Sequence, residues 1–249
     1  MNTDALALLL STAYKDNSTA TVPASLEPSD MEGAYEVQKL FLEKCGVATG
    51  GWKIGAKSET GPIQGAPLPV PRIYPSPASI LRRDYPVLGI ELEIFFCFAR
   101  DFLPGPEPVR ERDVLDCIGS FGASIEIVSS RISGWREAPK LCQLADLQNH
   151  GALVIGEKVT YRSDFSFVQP TVELRFNDVP LFSGSGRNPA GDPRRLLCWL
   201  VNHCRVKGLQ LVAGSVITTG TYTGIEFPAH PGTVTGEIAG LPAVSVELV

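Results

Sequence analysis

The longest alternating segment of this chain carries two carboxylates on one face. Residues 89–98 are rich in β-branched and aromatic side chains and are flanked by proline and glycine, which predicts a strand. Side chains two residues apart in a strand point to the same face. Glu91 and Glu93 therefore lie side by side, while Leu92 and Ile94 point the other way.

A second apolar segment, residues 122–128, also predicts a strand and carries Glu126 between two isoleucines. If the two strands are neighbours, three carboxylates converge. Such a cluster loses hydration and repels itself unless a Lys or Arg side chain or a hard metal ion offsets the charge. The alternative is an edge strand with a solvated acidic face, since charged residues are mostly exposed. The pattern alone leaves both interpretations open.

Helical spacing and turn-forming residues divide the rest of the chain into short elements. Apolar residues repeat at helical spacing over 4–14, and Ser29 with Glu32 forms a capping box before a second helix that ends at Gly46. A third helix begins after Asp192. Further strands are predicted at 50–55, 152–155, 168–176, 215–219, 234–238 and 243–248.

Residues 59–80 interrupt this regular pattern. They contain six prolines, which predicts a long irregular excursion. Excursions of that length commonly form lids or binding loops.

Composition narrows the possible functions. A chain of 249 residues with 44% hydrophobic and 20% charged residues is typical of a soluble globular protein, and a net charge of −5 gives no support to nucleic-acid binding. The apolar run at 6–10 is too short to span a membrane and follows Asp4 rather than a basic region, so it predicts neither a span nor a signal peptide. Six cysteines without a C-x-x-C pair indicate a reducing compartment. We therefore expect a cytoplasmic protein with no membrane and no nucleic-acid partner.

Two further segments carry candidate chemistry. Lys53 is a lone cation in an apolar, glycine-flanked run, and it is either a solvated strand lysine or a cation that faces a site. Residues 218–224 combine hydroxyls with glycines, which suits a carboxylate ligand but also an ordinary turn after a threonine-rich strand. His203 and Cys204 are adjacent on a helix and cannot share one metal, so zinc is not expected.

Several of these segments together resemble one family, the fumarylacetoacetate hydrolase superfamily, and within it the 2-keto-4-pentenoate hydratases and 4-oxalocrotonate decarboxylases. Any one segment is a weak signal, but the ordered set runs through nearly the whole chain. The matching segments are 34–38, 51–55, 90–94, 125–128 with 131–132, 145–146, 197–202 and 219–224.

The resemblance implies a fold and a metal site. The fold is of the α+β class, a mixed β-roll like the family's C-terminal domain, with flanking helices. Residues 1–48 are expected to form an N-terminal helical region and residues 49–249 the catalytic β-roll domain, together one structural unit. The implied cofactor is Mg²⁺ or Mn²⁺ held by Glu91, Glu93 and Glu126, an all-oxygen set that suits these ions better than Zn²⁺.

The resemblance also implies roles for four other residues. Lys53 matches the family's active-site lysine, which moves protons or holds charge, and Asp146 matches an acidic position that lines the same site. Gly55 and Thr221 match positions that contact the substrate.

The activity that the resemblance implies is that of a metal-dependent lyase in aromatic-compound catabolism. It would hydrate a 2-hydroxy-2,4-dienoic (2-oxo-4-enoic) acid, and the chain would form a homo-oligomer. Three alternatives stay open: decarboxylation of a 2-oxo-3-enedioate, acylpyruvate-type C–C hydrolysis, and a non-catalytic metal-binding subunit. The hydrolytic branch uses an early His–Glu pair, and this chain has no early histidine. Residues 56–59 and Leu147 depart from the family where the substrate tail and water are handled, so substrate and reaction stay open.

Overall fold

The fold follows from the alternation in the sequence, which folds into two sheets and a few short helices. In this computed structural model, residues 3–249 are described. The helices are α1 Thr3–Lys15, α2 Met31–Cys45, α3 Glu111–Leu115, α4 Lys140–Ala145 and α5 Arg194–Val206. The strands are β1 Thr49–Gly55, β2 Gln64–Pro69, β3 Ile73–Pro75, β4 Ala78–Ile80, β5 Gly89–Phe98, β6 Ile118–Val128, β7 His150–Ile155, β8 Val159–Thr160, β9 Thr171–Phe176, β10 Val179–Ser185, β11 Val216–Thr221, β12 Gly232–Ile238 and β13 Val244–Leu248.

Both sheets are mixed, and the main core lies between them. The larger sheet has the order β2-β1-β11-β5-β6-β7-β3, with β8 on β6, and the smaller has the order β10-β9-β12-β13-β4. Strands β1 and β11 are parallel, whereas β5 pairs antiparallel with both β11 and β6. Apolar side chains of β5 and β6, such as Leu92 and Ile125, are fully buried in the core. The predicted α+β class with a mixed β-roll is confirmed.

The N-terminal helices form a second apolar cluster with α4. Leu6 and Leu10 of α1 are fully buried against this cluster, and α2 packs on α1, α4 and β2. The division at residue 48 stays a prediction. The second helix begins as the sequence predicts, but Ser29 is not its cap. The carboxylate of Asp30 accepts the N–H of Gly33 at 2.8 Å.

The proline-rich residues 59–80 are not irregular, so that prediction was wrong. They contain β2, β3 and β4, and each of these strands lies at the edge of a sheet. Proline has no N–H to donate to a neighbouring strand, and an edge strand needs only one set of such bonds. The prolines therefore fix where these strands can lie rather than prevent them from forming.

Within residues 3–249, no helix combines the length and the apolar character needed to cross a membrane.

Candidate active site

Three carboxylates converge where β5 and β6 pair. The register sets Glu91 directly opposite Glu126 and Glu93 opposite Ser124. Residues that face each other across an antiparallel pair share a face of the sheet. One carboxylate oxygen from each glutamate lies within 4.8 Å of the others. Because Glu93 is 2% exposed and Glu126 0%, the interpretation as a solvated acidic face is wrong.

Lys53 reaches this cluster from β1. Its Nζ donates to Glu126 Oε1 at 2.5 Å and to the carbonyl of Gln148 at 3.1 Å. His150, the first residue of β7, places Nδ1 3.0 Å from the same Oε1. The lysine side chain is 13% exposed, so it is not a solvated strand lysine. Two of its three N–H donors are committed to protein oxygens, which leaves one.

Glu93 is held by the threonine-rich strand β11. Its Oε2 accepts hydrogen bonds from the hydroxyl of Thr218 and from the backbone N–H of Gly220, the latter at 3.0 Å. Gly220 has φ +94°, a conformation that glycine adopts without strain, and this brings its N–H to the carboxylate. The side chain of Asn188 fixes the turn by donating to the carbonyls of Thr219 and Gly220.

Burial and mutual repulsion shift the ionisation of the cluster. Burial raises the pKa of Glu91 to about 8, and the carboxylates of Glu93 and Glu126 add to the rise. Burial likewise raises the pKa of Glu93 to about 7, with Glu126 adding to it. Burial lowers the pKa of Lys53, but the three carboxylates together raise it by more than burial lowers it, so the pKa lies above its ordinary value. The lysine is therefore a cation, and it neutralises only part of the acidic charge.

The cluster lies in a cavity of about 390 Å³. Lys53, Gly55, Thr221 and the three glutamates all line it, so six of the seven predicted site residues come together. Other lining residues are the amides Gln64, Gln143, Gln148, Asn149 and Asn188, the apolar Ala56, Pro62, Leu144 and Pro189, and two exposed lysines, Lys57 and Lys140. The lining thus combines a carboxylate cluster with amide and apolar side chains and two exposed lysines.

Asp146 is the predicted residue that does not line the cavity. Its carboxylate accepts hydrogen bonds from Arg131 Nε at 2.5 Å, Arg131 N at 2.9 Å and Ser130 Oγ at 2.8 Å. Arg131 also donates to the backbone carbonyls of Asp146 and His150. The resemblance implies that Asp146 lines the site, whereas in the structure its carboxylate is occupied by Arg131 and Ser130.

The buried Arg131–Asp146 pair encloses an unusual turn. Leu147, Gln148 and Asn149 have φ values of 50°, 52° and 59°, the left-handed region that residues other than glycine rarely adopt. This turn brings the carbonyl of Gln148 to Lys53 Nζ. Backbone strain of this kind persists only where surrounding contacts over-determine it, and the arginine supplies those contacts.

The donor set fits a hard divalent cation. Each of two glutamates commits one oxygen to the protein, Glu93 its Oε2 and Glu126 its Oε1. The other oxygen of Glu126 is buried with no hydrogen-bond partner among the described residues, and such a group is costly unless something binds it. Carboxylate oxygens alone are the ligands that Mg²⁺ and Mn²⁺ prefer.

Four contributors to the site were missed at the sequence level: Thr218, Asn188, Gln148 and His150. Thr218 belongs to the singled-out 218–224 run, in which only Thr221 was assigned a role. His150 is one of three histidines and lies two positions before the predicted strand 152–155, which is the one signal that could have found it. Asn188 and Gln148 act through loop geometry that no local pattern predicts.

The fold and the carboxylate cluster define a β-roll protein with an acidic cavity lined by neighbouring strands of its larger sheet. Residues 59–249 match the family described as fumarylacetoacetate (FAA) hydrolase C-terminal. The chain therefore belongs to the fumarylacetoacetate hydrolase family.

Two curated relatives are hydratases. The chain is 33% identical over 142 residues to 2-hydroxyhexa-2,4-dienoate hydratase of Comamonas testosteroni, a match that covers 57% of this chain and 52% of the relative. It thus spans about half the length of that relative. It is 27% identical over 232 residues to 2-keto-4-pentenoate hydratase 1 of Dechloromonas aromatica (strain RCB), covering 88% of this chain and 87% of the relative.

Among solved structures, the fold is similar to that of 4-oxalocrotonate decarboxylase from Pseudomonas putida G7, complexed with magnesium and adipate. The TM-score is 0.86 at 20% identity, and the match covers 99% of this chain and 97% of that one. At 20% sequence identity, this similarity shows that the two proteins share a fold and no more than that.

Proposed function

We propose that this chain is a metal-dependent lyase that adds water to a 2-hydroxy-2,4-dienoic (2-oxo-4-enoic) acid. The observation that carries the proposal is the convergence of Glu91, Glu93 and Glu126, with a buried, unpartnered oxygen on Glu126, beside Lys53 in one cavity. The two hydratase relatives support the choice of reaction.

In this proposal Glu91, Glu93 and Glu126 hold Mg²⁺ or Mn²⁺. The cation would supply Lewis acidity to the oxo and carboxylate oxygens of the substrate. Lys53 directs its one uncommitted N–H into the cavity, where it stabilises negative charge on the substrate and exchanges a proton with the carbon chain. Gly55 and Thr221 line the cavity where the substrate would lie.

Asp146 enters this proposal as a positioning residue rather than as a catalytic one. Its ion pair with Arg131 holds the left-handed turn, and the turn holds Lys53 through the carbonyl of Gln148. The lysine is thereby fixed from two sides, by Gln148 and by Glu126.

The experiment that tests the function is an assay on conjugated 2-hydroxydienoic acids, with and without Mn²⁺. The proposal predicts a metal-dependent loss of the dienoate absorbance and a product that has gained one water by mass spectrometry. The matched Glu126→Gln variant should lose this activity, whereas Glu237→Gln, on an exposed position of β12, should keep it. A wild-type protein that binds Mn²⁺ but leaves every dienoate unchanged contradicts the proposal.

Decarboxylation of a 2-oxo-3-enedioate is the second candidate, and a specific observation favours it. Lys57 and Lys140 are exposed at the rim of the cavity, where they could meet a second carboxylate at the far end of a substrate. If this reaction is the true one, the same assay yields a product that has lost CO₂. The Lys57→Met and Lys140→Met variants would then raise KM for the diacid but not for a monoacid.

The other two alternatives gain no further support. For acylpyruvate hydrolysis, His150 and Glu126 do form a pair, but the histidine is 1% exposed and does not line the cavity, so it has no access to a substrate water. A non-catalytic metal-binding subunit would share the carboxylates but has no need of Lys53 with a donor free for the cavity.

We also infer a cytoplasmic location and a homo-oligomeric state. All six cysteines are free thiols, which suits a reducing compartment. Exposed apolar side chains near the end of α5 support assembly.

A further inference from the structure

The two oxygens of Glu126 have unequal surroundings. Oε1 accepts from Lys53 Nζ at 2.5 Å and lies 3.0 Å from His150 Nδ1. Oε2 is buried and has no partner among residues 3–249. A carboxylate bound in this way can offer a cation only one oxygen without losing a hydrogen bond to the protein.

The position of His150 is fixed by its burial and by its backbone contacts. It is 1% exposed, and its backbone carbonyl accepts a hydrogen bond from Arg131. It follows directly on the left-handed turn that ends at Asn149. An ionised carboxylate only accepts hydrogen bonds, so a hydrogen bond across this 3.0 Å contact to ionised Glu126 has Nδ1–H as its donor.

The two groups that contact Glu126 Oε1, Lys53 and His150, differ in whether they also reach the cavity. Lys53 has one N–H left for the cavity, so its position responds to what the cavity holds. His150 has no other partner for its side chain among the described residues, because its Nε2 is buried and unbonded. The histidine can therefore keep Oε1 occupied while the lysine serves the substrate.

We propose that His150 is a positioning residue for the metal: its Nδ1–H fixes the Glu126 carboxylate so that Oε2 is the atom offered to the cation. The inference rests on the metal site of the proposed function. The histidine acts through Glu126 and does not itself touch substrate or metal. Partners that orient ligands in this way typically change metal affinity about 10–100-fold when they are lost.

The test measures Mn²⁺ affinity of the metal-free protein by calorimetry, so it needs no substrate. His150→Leu keeps the apolar volume but removes the donor, and we expect a dissociation constant about 10–100-fold higher. His150→Asn places an amide N–H near the former Nδ1 and should restore most of the affinity. Val128→Ala, opposite His150 in the β6–β7 pair, shortens an apolar side chain of the same strands without removing a hydrogen-bond donor, and should leave the affinity unchanged.

A folded His150→Leu variant that binds Mn²⁺ as tightly as the wild type overturns the inference. If that variant does not fold, the tautomer of His150 in the wild-type protein decides, read by nitrogen-15 NMR with His203→Gln and His230→Gln for assignment. A proton on Nδ1, before and after Mg²⁺ is added, supports the inference, and a proton on Nε2 alone overturns it. A wild type that binds Mn²⁺ but hydrates no substrate contradicts the proposed function and leaves the role of His150 intact.

Discussion

Glu91 and Glu93 are carboxyl groups that the metal-free protein holds partly protonated. Burial, and then repulsion from the neighbouring carboxylates, raises the pKa of Glu91 to about 8 and that of Glu93 to about 7. In the unfolded chain both groups have already released their protons well below these values. The folded apoprotein therefore binds more protons than the unfolded chain around neutral pH, and its stability falls as pH rises.

We predict that the metal-free protein loses thermal stability between about pH 7 and about pH 8. His150 adds little to the change in stability over this pH range. Burial, and then the charge of Lys53, hold its pKa well below 6.5, so its effect on stability is complete once the histidine of the unfolded chain is neutral. The check is thermal unfolding at both pH values for the wild type and Glu91→Gln. The variant should show a smaller drop, and saturating Mg²⁺ should reduce the drop in the wild type. Equal drops in both apoproteins would contradict the shifted carboxyl groups.

Lys53 is the residue on which the chemistry depends most. A lysine aimed at developing negative charge stabilises the transition state more than the bound substrate. Loss of a positioned proton-transfer group costs about 10²–10⁴-fold, so we predict that Lys53→Met lowers kcat by at least about a hundredfold. Fold and metal binding should survive, as checked by circular dichroism and calorimetry. Full turnover in this variant would show that the lysine has no part in the reaction.

The carboxylates could be predicted from the sequence because strand alternation is local. Glu91 and Glu93 are two residues apart in β5, which puts them on one face of the strand. The apolar residues around them in the sequence indicate that both carboxylates are buried. The partners of these groups could not be predicted in the same way. His150 lies 24 positions from Glu126 and Thr218 lies 125 from Glu93, so only the sheet order brings them together.

At the scale of elements, the turn at 147–149 and the Arg131–Asp146 pair form one unit. Removing one partner of a buried ion pair leaves the other charge uncompensated, which costs about 3–5 kcal/mol. We predict that Asp146→Asn lowers the free energy of unfolding by about this amount, measured by urea denaturation. An unchanged unfolding free energy with lost activity would instead make Asp146 a catalytic residue, as the family resemblance implies.

Two elements show the limit of sequence reasoning at this scale. The residues from 144 to 151 look like a polar loop, yet Leu147 is fully buried. Arg131 donates from within the fold to the carbonyls of Asp146 and His150, on either side of the turn. Prolines argue against strands in isolation, yet β2, β3 and β4 are strands because their places at sheet edges leave the missing N–H without consequence. In both cases the deciding contact is distant in the sequence.

At the scale of the whole molecule, a group of exposed apolar side chains offers a candidate surface for the proposed assembly. Leu6 and Leu10 of α1 are fully buried within the chain itself, whereas Leu8 of the same helix is 55% exposed. Three of the exposed apolar side chains lie close together in the sequence, at and just after the end of α5: Val206 at 73%, Val212 at 53% and Leu209 at 40% exposure. Clustered exposed apolar residues mark interaction surfaces.

We predict that the chain is at least a dimer in solution, since assembly would cover this apolar surface. Light scattering at micromolar concentration is the measurement. A Val206→Glu substitution should reduce the molar mass if this surface mediates assembly, whereas Val179→Glu, on β10 and 62% exposed, should not. A wild-type monomer rejects the prediction.

A bound dication would balance the charge of the cluster formed by Glu91, Glu93 and Glu126. Three carboxylates and Lys53 leave the cluster with an excess of negative charge, and a dication would cancel it.

The most direct test of this metal site is titration calorimetry of the metal-free protein with Mg²⁺ and Mn²⁺, comparing the wild type with Glu91→Gln and Glu126→Gln. We predict that the wild type binds one ion per chain and that each variant binds at least about a hundredfold more weakly, a larger loss than the removal of an outer partner causes. Glu237→Gln should bind as the wild type does. Unchanged affinity in both carboxylate variants, with the fold intact, would contradict the site and the function built on it.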